Sequence, residues 1–212
     1  MSTPYLPQDG TSYPSDCQLL EKYRSRVREN NEHKIHNEDQ PLFAKAEPLQ
    51  LLLLDVDGVL TDGSLIYTEN GSEAKAFNTQ DGLGIRLLQK AGVNVGLITA
   101  RRSDLVYRRA RELDFRHIKQ GIDNKVDAYK EIIRREQLKP YQVCYMGDDW
   151  IDLPLLTKVG LAACPANSVP EVKEACHFIT GRPGGYGAVR EVCTLILKAK
   201  GELDNLLQTC RG

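Results

Sequence analysis

The chain has 212 residues, of which 41% are hydrophobic and 27% are charged, a composition typical of a soluble globular protein. Its 28 basic and 29 acidic residues give a formal net charge of −1 at pH 7, which argues against a dedicated nucleic-acid-binding protein. No run approaches the roughly 20 apolar residues that span a bilayer, and the first twenty residues lack the apolar centre of a secretory signal. We therefore expect a cytoplasmic protein with no nucleic-acid or membrane partner.

The first 48 residues differ in composition from the rest of the chain. Between Glu21 and Gln40, five basic and five acidic residues accompany only two aliphatic ones, Val27 and Ile35. Such a segment cannot bury enough apolar surface to offset the entropy lost on ordering. We predict that residues 1–48 form a polar, mobile extension with a short helix near residues 17–28, and that residues 49–212 form the folded domain.

From residue 49 onward, apolar runs alternate with helical segments. The run Leu51–Leu54 is wholly apolar, which is typical of a strand buried on both faces of a parallel sheet. Asn70 and Gly71 tolerate positive φ and predict a hairpin turn between strands at residues 65–67 and 75–77. Further strands are predicted at residues 93–99, 117–119, 143–146, 161–164 and 178–179, and helices at 81–91, 103–113, 123–137, 151–158, 169–176 and 188–207.

These repeated strand–helix units predict a doubly wound, Rossmann-like α/β fold. In such a fold the sheet is open and parallel, and helices cover both of its faces. The small β-hairpin is an insertion after the first strand. The segment Gly58–Asp81 has room only for this hairpin, and Thr99–Lys125 has room for one helix and one short strand, so we expect no cap domain.

Polar side chains follow several of the predicted strands at the point where each strand ends. Asp55 and Asp57 follow the first strand, Thr99 ends the second, and Asp148 follows the strand at residues 143–146. Lys125 lies near the start of a helix. Because ligands of open α/β sheets bind at the carboxyl ends of the strands, we expect these five side chains to converge. Three clustered carboxylates repel one another unless a hard dication lies between them, and all-oxygen ligation favours Mg²⁺.

This combination of residues suits phosphoryl transfer. One carboxylate can attack phosphorus and form an aspartyl-phosphate, while a metal and a lysine offset the charge of the transferring group. A second carboxylate two residues on lies on the same side of an extended chain, where it can protonate the departing ester oxygen and later take a proton from water. A D-x-D pair alone is a weak signal, since metal-dependent glycosyltransferases also use one. The occurrence of all these residues on successive strand ends favours a phosphatase.

The run Asp55–Gly63 resembles the first motif of the haloacid dehalogenase superfamily of phosphatases. Residues 43–207 resemble, more closely, the 3-deoxy-D-manno-octulosonate 8-phosphate phosphatase family, whose members act in lipopolysaccharide sugar synthesis. The shared stretches are Ala76–Asn78 followed by Asp81 and Gly82, Ile98–Arg101, Asn124–Lys125, Gly147–Asp149 with Asp152–Pro154, and Gly184–Gly185 with Gly187–Glu191.

The resemblance implies Mg²⁺-dependent hydrolysis of this sugar-acid phosphate and a role for each matching residue. Asp55 matches the nucleophile and a Mg²⁺ ligand, and Asp148 matches a further metal ligand. Asp57 matches the acid/base and also ligates the metal through its backbone carbonyl. Thr99 and Lys125 match the groups that hold the phosphoryl oxygens. The positions that match substrate contacts are Asn78, Thr79, Gln80, Asp81, Gly82, Arg86, Arg101, Arg109 and Lys125.

The resemblance also implies an assembly. Without a cap domain, a single subunit would leave its phosphoryl intermediate open to water. In the family, a homotetramer closes each site with the hairpin and the C-terminal segment of a neighbouring subunit. We expect a homotetramer here too, with Gly181–Gly187 as a flexible lid segment.

Three alternatives remain open. A sialic-acid-type 9-phosphate phosphatase shares these motifs and differs in a few pocket residues, and Gln80 stands here where an arginine is common. A phospho-accepting receiver module also combines acidic residues, Mg²⁺, a threonine and a lysine, but it lacks the second acid that Asp57 provides. A non-catalytic oligomerisation module is disfavoured because Asp55, Asp57 and Lys125 are all present.

Overall fold

The structure is a computed structural model that describes residues 40–211. The helix predicted near residues 17–28 lies outside this range. Residues 40–48, which the sequence analysis assigned to the extension, carry helix α1 (Gln40–Ala46). Ala46 and Leu49 are fully buried in the core. This short stretch therefore packs with the residues that follow it.

A six-stranded parallel sheet forms the centre of the domain. In chain order its strands are β1 (Leu51–Leu54), β4 (Asn94–Thr99), β5 (His117–Gln120), β6 (Val143–Met146), β7 (Leu161–Cys164) and β8 (Phe178–Ile179). Their spatial order is β5-β4-β1-β6-β7-β8, so the chain winds outward from β1 in one direction and then returns to wind outward in the other. The carboxyl end of β1 is therefore the topological switch point, where open α/β sheets bind their ligands.

Helices pack on both faces of the sheet, and the predicted doubly wound fold is confirmed. Leu52 and Leu54 of β1 face one core cluster, while Leu51 and Leu53 face the other, as the alternation of side chains along a strand requires. The helices after α1 are α2 (Thr79–Lys90), α3 (Asp104–Glu112), α4 (Lys125–Arg135), α5 (Leu153–Leu156), α6 (Pro170–Ala175), α7 (Ala188–Ala199) and α8 (Leu203–Arg211). None of the helices within residues 40–211 is long and apolar enough to cross a membrane.

The hairpin differs from its prediction in the position of its second strand. Strands β2 (Ile66–Tyr67) and β3 (Glu73–Ala74) pair antiparallel, so the second strand begins two residues earlier than the predicted 75–77. The Asn70 side chain accepts hydrogen bonds from the Thr68 hydroxyl and the Ser72 backbone N–H, which makes the turn tight. Pairing therefore resumes directly after the turn, and Lys75 is left outside the strand.

Two predicted helices are interrupted. The C-terminal helix predicted at 188–207 divides into α7 and α8 because Gly201 between them takes the left-handed backbone conformation, with φ of +70°, which ends a helix. The helix predicted at 151–158 is a 3₁₀ turn, Trp150–Asp152, followed by the four-residue α5. The buried carboxylate of Asp152 holds that turn through the backbone N–H groups of Asp148 and Asp149.

Candidate active site

A tight loop at the end of β1 carries Asp55 and Asp57. The Asp55 N–H donates to the Met146 carbonyl at 2.9 Å, which extends the β1–β6 ladder and fixes the start of the loop. The backbone N–H groups of Val59, Leu60 and Thr61 then all donate to the Val56 carbonyl, so the chain turns sharply back. Asp55 is consequently buried, with an exposed fraction of 5%.

Gly58 in this loop lies against Asp148. Its φ is +87°, and a Cβ at this position would lie only 2.0 Å from Asp148 Oδ2. Only glycine has both the positive φ and the absent side chain that this approach requires. The loop after β1 and the loop after β6 therefore meet closely enough to bring their carboxylates together.

The ammonium of Lys125 completes the centre of the site. Asn124 caps α4 by accepting hydrogen bonds from the N–H groups of Val126 and Asp127, which places Lys125 in the first position of the helix. Its Nζ lies 3.0 Å from Asp55 Oδ1 and 2.7 Å from Asp152 Oδ1. Lys125 is only 4% exposed, so its charge is shared with these two buried carboxylates.

Asp152 belongs to the site although the sequence analysis gave it no role. Its Oδ1 accepts hydrogen bonds from Lys125 Nζ at 2.7 Å and from the Tyr145 hydroxyl at 2.5 Å. Its Oδ2 accepts hydrogen bonds from the backbone N–H groups of Asp148 and Asp149, at 3.0 and 3.3 Å. Asp152 thus orients both the ammonium and the loop that carries Asp148. The available signal was a carboxylate four residues after Asp148, inside a stretch already shared with the family.

Carboxylate oxygens of Asp55, Asp148 and Asp152 lie within 4.8 Å of one another. The buried Asp55 Oδ1 lies 3.0 Å from Lys125 Nζ and has no other polar partner within the described residues. Both oxygens of Asp152 already have donors, so Asp55 and Asp148 are the two carboxylates suited to hold a cation. An all-oxygen donor set of this kind fits Mg²⁺.

The pKa values of the charged residues in the cluster also favour a bound cation. Burial raises the pKa of Asp55 to about 6, against the opposing effect of Lys125. Burial, followed by repulsion from Asp55, Asp152 and Asp149, raises the pKa of Asp148 to about 7. Burial also disfavours the charged form of Lys125, but attraction to Asp55 and Asp152 outweighs it and raises the lysine pKa. One ammonium therefore does not neutralise the cluster, and a divalent cation would.

The carboxylate of Asp57 lies in a ring of alternating charges, here called the charge ring, formed by Asp57, Lys75, Glu73 and Arg101. Lys75 Nζ lies 2.5 Å from Asp57 Oδ1, and Arg101 Nε lies 3.5 Å from Asp57 Oδ2. Glu73 Oε1 closes the ring at 2.9 Å from Arg101 Nη2 and 3.4 Å from Lys75 Nζ. Arg101 was a predicted site residue, whereas Glu73 and Lys75 were not, because no local pattern indicates where hairpin side chains point.

The remaining predicted phosphate contact, Thr99, lies where the sequence predicted it. It ends β4, next to β1 in the sheet, and is 4% exposed. Its hydroxyl oxygen accepts a hydrogen bond from the Arg101 N–H at 3.4 Å. The structure thus brings Asp55, Asp148, Thr99 and Lys125 to the ends of neighbouring elements, as expected.

Three predicted substrate contacts at the start of α2 instead bond within the chain. Asn78 caps α2 and donates to the Gly185 carbonyl at 3.2 Å, and Gln80 Oε1 accepts from Arg182 at 2.7 Å. Asp81 is buried and accepts the Arg190 N–H, at the start of α7, at 2.7 Å. In this structure these side chains tie α2 to the C-terminal part of the domain, and their substrate contacts stay predictions.

A cavity of about 300 Å³ contains other predicted contacts. Gly82 lies beside it, since a Cβ there would be 2.5 Å from Arg109 Nη2. Arg86 lies farther along α2, where its guanidinium donates to the Glu112 carbonyl at 2.9 Å. The cavity is lined by Lys75, Phe77, Thr79, Leu105, Arg108, Arg109 and Glu112. Lys75 therefore lines the cavity and also contacts Asp57.

The glycine-rich segment Gly181–Gly187 packs against the loop after β1 of its own chain. The Gly184 N–H donates to Asn167 Oδ1 at 2.8 Å, and the Gly185 N–H donates to the Val59 carbonyl at 3.1 Å. A Cβ on Gly184 would lie 1.7 Å from the Gly58 carbonyl oxygen, so the two backbones are in direct contact. The predicted flexibility of Gly181–Gly187 stays a prediction.

Known proteins resemble this chain in sequence and in fold. A family model described as haloacid dehalogenase-like hydrolase matches residues 117–189. The 3-deoxy-D-manno-octulosonate 8-phosphate phosphatase of Escherichia coli is 44% identical over 163 residues, which cover 77% of this chain and 87% of the relative.

Two solved structures illustrate the likeness in fold. A probable phosphatase from Pseudomonas syringae aligns with a TM-score of 0.80 and 42% identity, over 82% of this chain and 98% of that one. The 3-deoxy-D-manno-octulosonate 8-phosphate phosphatase of Moraxella catarrhalis aligns with a TM-score of 0.78 and 40% identity, over 80% of this chain and 97% of that one. That second structure is a complex with magnesium, phosphate and the sugar acid.

The parallel sheet, the loop after β1 and the acidic cluster define a haloacid dehalogenase-like hydrolase that cleaves phosphoric monoesters. At this level of identity and coverage, the chain belongs to the 3-deoxy-D-manno-octulosonate 8-phosphate phosphatase family.

The raised pKa of Asp148, about 7, predicts how the metal-free protein responds to pH. A carboxyl whose pKa is higher in the folded than in the unfolded state stabilises the fold fully below the unfolded pKa and loses that contribution as pH rises through the folded pKa. The melting temperature with chelator should therefore fall between pH 5 and pH 8. Asp148→Asn should reduce this fall and also abolish the stabilisation that Mg²⁺ gives the wild type.

Thermal denaturation with chelator and with Mg²⁺ across that pH range measures both effects. Asp114→Asn is the matched control, since Asp114 is exposed and its positive φ of 52° suits asparagine. A Mg²⁺-dependent rise in melting temperature that persists in Asp148→Asn would contradict the assignment of Asp148 as a ligand.

Proposed function

We propose that this protein is a Mg²⁺-dependent phosphatase that hydrolyses 3-deoxy-D-manno-octulosonate 8-phosphate through an aspartyl-phosphate on Asp55, in lipopolysaccharide sugar synthesis in the cytoplasm. The observation that carries the proposal is the position of Asp55, whose Oδ1 lies 3.0 Å from Lys125 and within the carboxylate cluster at the switch point of the sheet. Relatives named for this substrate support its choice.

In the first step, Asp55 attacks phosphorus while the bond from phosphorus to the sugar oxygen breaks. Lys125 and Thr99 hold phosphoryl oxygens, so negative charge that moves onto them meets an ammonium and a hydroxyl. Asp57 donates its proton to the departing sugar oxygen, which leaves as an alcohol. The products of this step are the free sugar acid and a phosphoryl group on Asp55.

In the second step, Asp57 acts as a base. Its carboxylate takes a proton from a water molecule as the water oxygen attacks phosphorus, and the bond to Asp55 breaks. Inorganic phosphate leaves, and both carboxylates return to their starting states. Asp55, Asp148 and the carbonyl of Asp57 would hold Mg²⁺, which when bound supplies positive charge for the transferring phosphoryl group.

The cavity beside Asp57 supports a substrate with a second anionic group. Arg108 and Arg109 line it together with Glu112, whose carboxylate lies 3.2 and 3.5 Å from the two guanidinium groups, and Phe77 and Leu105 contribute apolar surface. Guanidinium groups recognise carboxylates through paired hydrogen bonds. A sugar-acid carboxylate that displaced Glu112 would gain these two guanidinium partners, which a neutral sugar would not use.

Steady-state phosphate release from a panel of phosphate monoesters tests the substrate. With Mg²⁺, the eight-carbon sugar-acid phosphate should be hydrolysed with a kcat/KM at least tenfold above that of the nine-carbon sialic-acid-type phosphate and of a neutral sugar phosphate. Chelator should abolish turnover. Preference for the nine-carbon substrate would be consistent with the proposed mechanism but would contradict the proposed substrate. No turnover of any monoester would contradict the proposed function.

The hairpin supports the proposed homotetramer. Leu65, Ile66 and Tyr67 are exposed by 46%, 50% and 64%, and three consecutive exposed apolar residues at a hairpin strand are typical of an interaction surface. We infer that the hairpin packs against a neighbouring copy and closes its site. Burial of these residues would also shield the phosphoryl intermediate from solvent.

Leu65→Ser combined with Ile66→Ser should convert the tetramer into smaller species and lower activity, because the apolar contact would be lost. Sedimentation velocity and phosphate release on the same samples measure both effects. Tyr141→Ser is the control, since Tyr141 is 58% exposed and directly precedes β6. It therefore lies at the amino-terminal ends of the strands, opposite the carboxylates. A fully active monomeric wild type would rule out the tetramer as a requirement.

A further inference from the structure

Glu73 belongs to the charge ring but does not itself contact Asp57 or the other groups proposed to react. Glu73 lies on hairpin strand β3, and its Oε1 is shared by Lys75 Nζ and Arg101 Nη2. Each of these cations contacts a different oxygen of Asp57. Glu73 therefore reaches the acid/base through two separate ion pairs, one to each carboxylate oxygen.

Because the Lys75 side chain is buried, its ammonium depends on its ion-pair partners. The Lys75 side chain is only 1% exposed, and a buried ammonium is stable only with charged or hydrogen-bonded partners. Within the described residues, its two carboxylate partners are Asp57 and Glu73. Without Glu73, Lys75 would have one carboxylate partner, and Arg101, whose side chain is 41% exposed, would lose its shortest ion pair.

We propose that Glu73 is a positioning residue for proton transfer in this phosphatase: it holds Lys75 and Arg101 so that they fix both oxygens of Asp57 in place. The inference rests on the proposed function, in which Asp57 protonates the leaving group. It also assigns a role to the hairpin within its own subunit, because β3 carries the residue that orders the acid/base.

A positioning role for proton transfer has a distinct kinetic signature. Loss of orientation at Asp57 slows the step in which the leaving oxygen needs a proton, since a small displacement of a catalytic group is costly. A sugar alkoxide needs that proton, whereas p-nitrophenolate leaves readily without one. The value of kcat/KM, which reports steps up to departure of the first product, should therefore fall for the sugar phosphate and change little for p-nitrophenyl phosphate.

Glu73→Gln is the test, because it keeps the size of the side chain and removes its charge. We expect its kcat/KM for the sugar phosphate to fall about tenfold or more, as part of the hundredfold or greater contribution of general acid catalysis is lost. The kcat/KM for p-nitrophenyl phosphate should change by less than about threefold. Glu69→Gln, an exposed glutamate on the same hairpin, should behave as the wild type with both substrates.

Glu73→Asp tests the same idea with the charge retained. This variant should recover much of the activity on the sugar phosphate. It also provides a test of the positioning role if Glu73→Gln does not fold. Equal losses with both substrates, or no loss with either, would overturn the positioning role while wild-type turnover still upheld the proposed function. A wild type inactive on both esters would overturn the two together.

Discussion

Repulsion among carboxylates at the carboxyl end of β1 is the constraint on which the rest of the site depends. Asp55, Asp148 and Asp152 bring oxygens within 4.8 Å of one another in a largely buried position. Such a cluster is stable only with compensating positive charge. Lys125 supplies part of it, and burial, followed by repulsion between the carboxylates, raises the pKa values of Asp55 and Asp148. A divalent cation held by these carboxylates would supply further positive charge, both for the cluster and for a phosphoryl group.

The fold meets this constraint with contacts between loops rather than with a separate domain. Gly58 permits the loop after β1 to touch Asp148, and Gly184 permits the glycine-rich segment to cover that loop. Asp152 links Lys125 to the backbone that carries Asp148. These contacts are made by backbone atoms and by the carboxylates of Asp148 and Asp152. The hairpin adds a second, separate ion-pair system at Asp57.

Much of the fold and of the site could be predicted from the sequence. The features that could not be predicted were missed for one common physical reason. Wholly apolar runs such as Leu51–Leu54 predicted the sheet, and strand ends located Asp55, Thr99 and Asp148. Sequence periodicity carries no information about which side chains meet across loops, so it missed Asp152 and the contacts of Glu73 and Lys75. It also placed the second hairpin strand two residues late, since the side chain of Asn70 sets the turn.

Identification of the residue that carries the phosphoryl group would test directly whether Asp55 is the nucleophile. Borohydride added during turnover reduces an aspartyl-phosphate to homoserine, which mass spectrometry of peptides can locate in the chain. We expect homoserine at position 55 in the presence of Mg²⁺ and substrate, and none when either is omitted. Modification at Asp57 or Asp148, or turnover without any modified carboxylate, would contradict it.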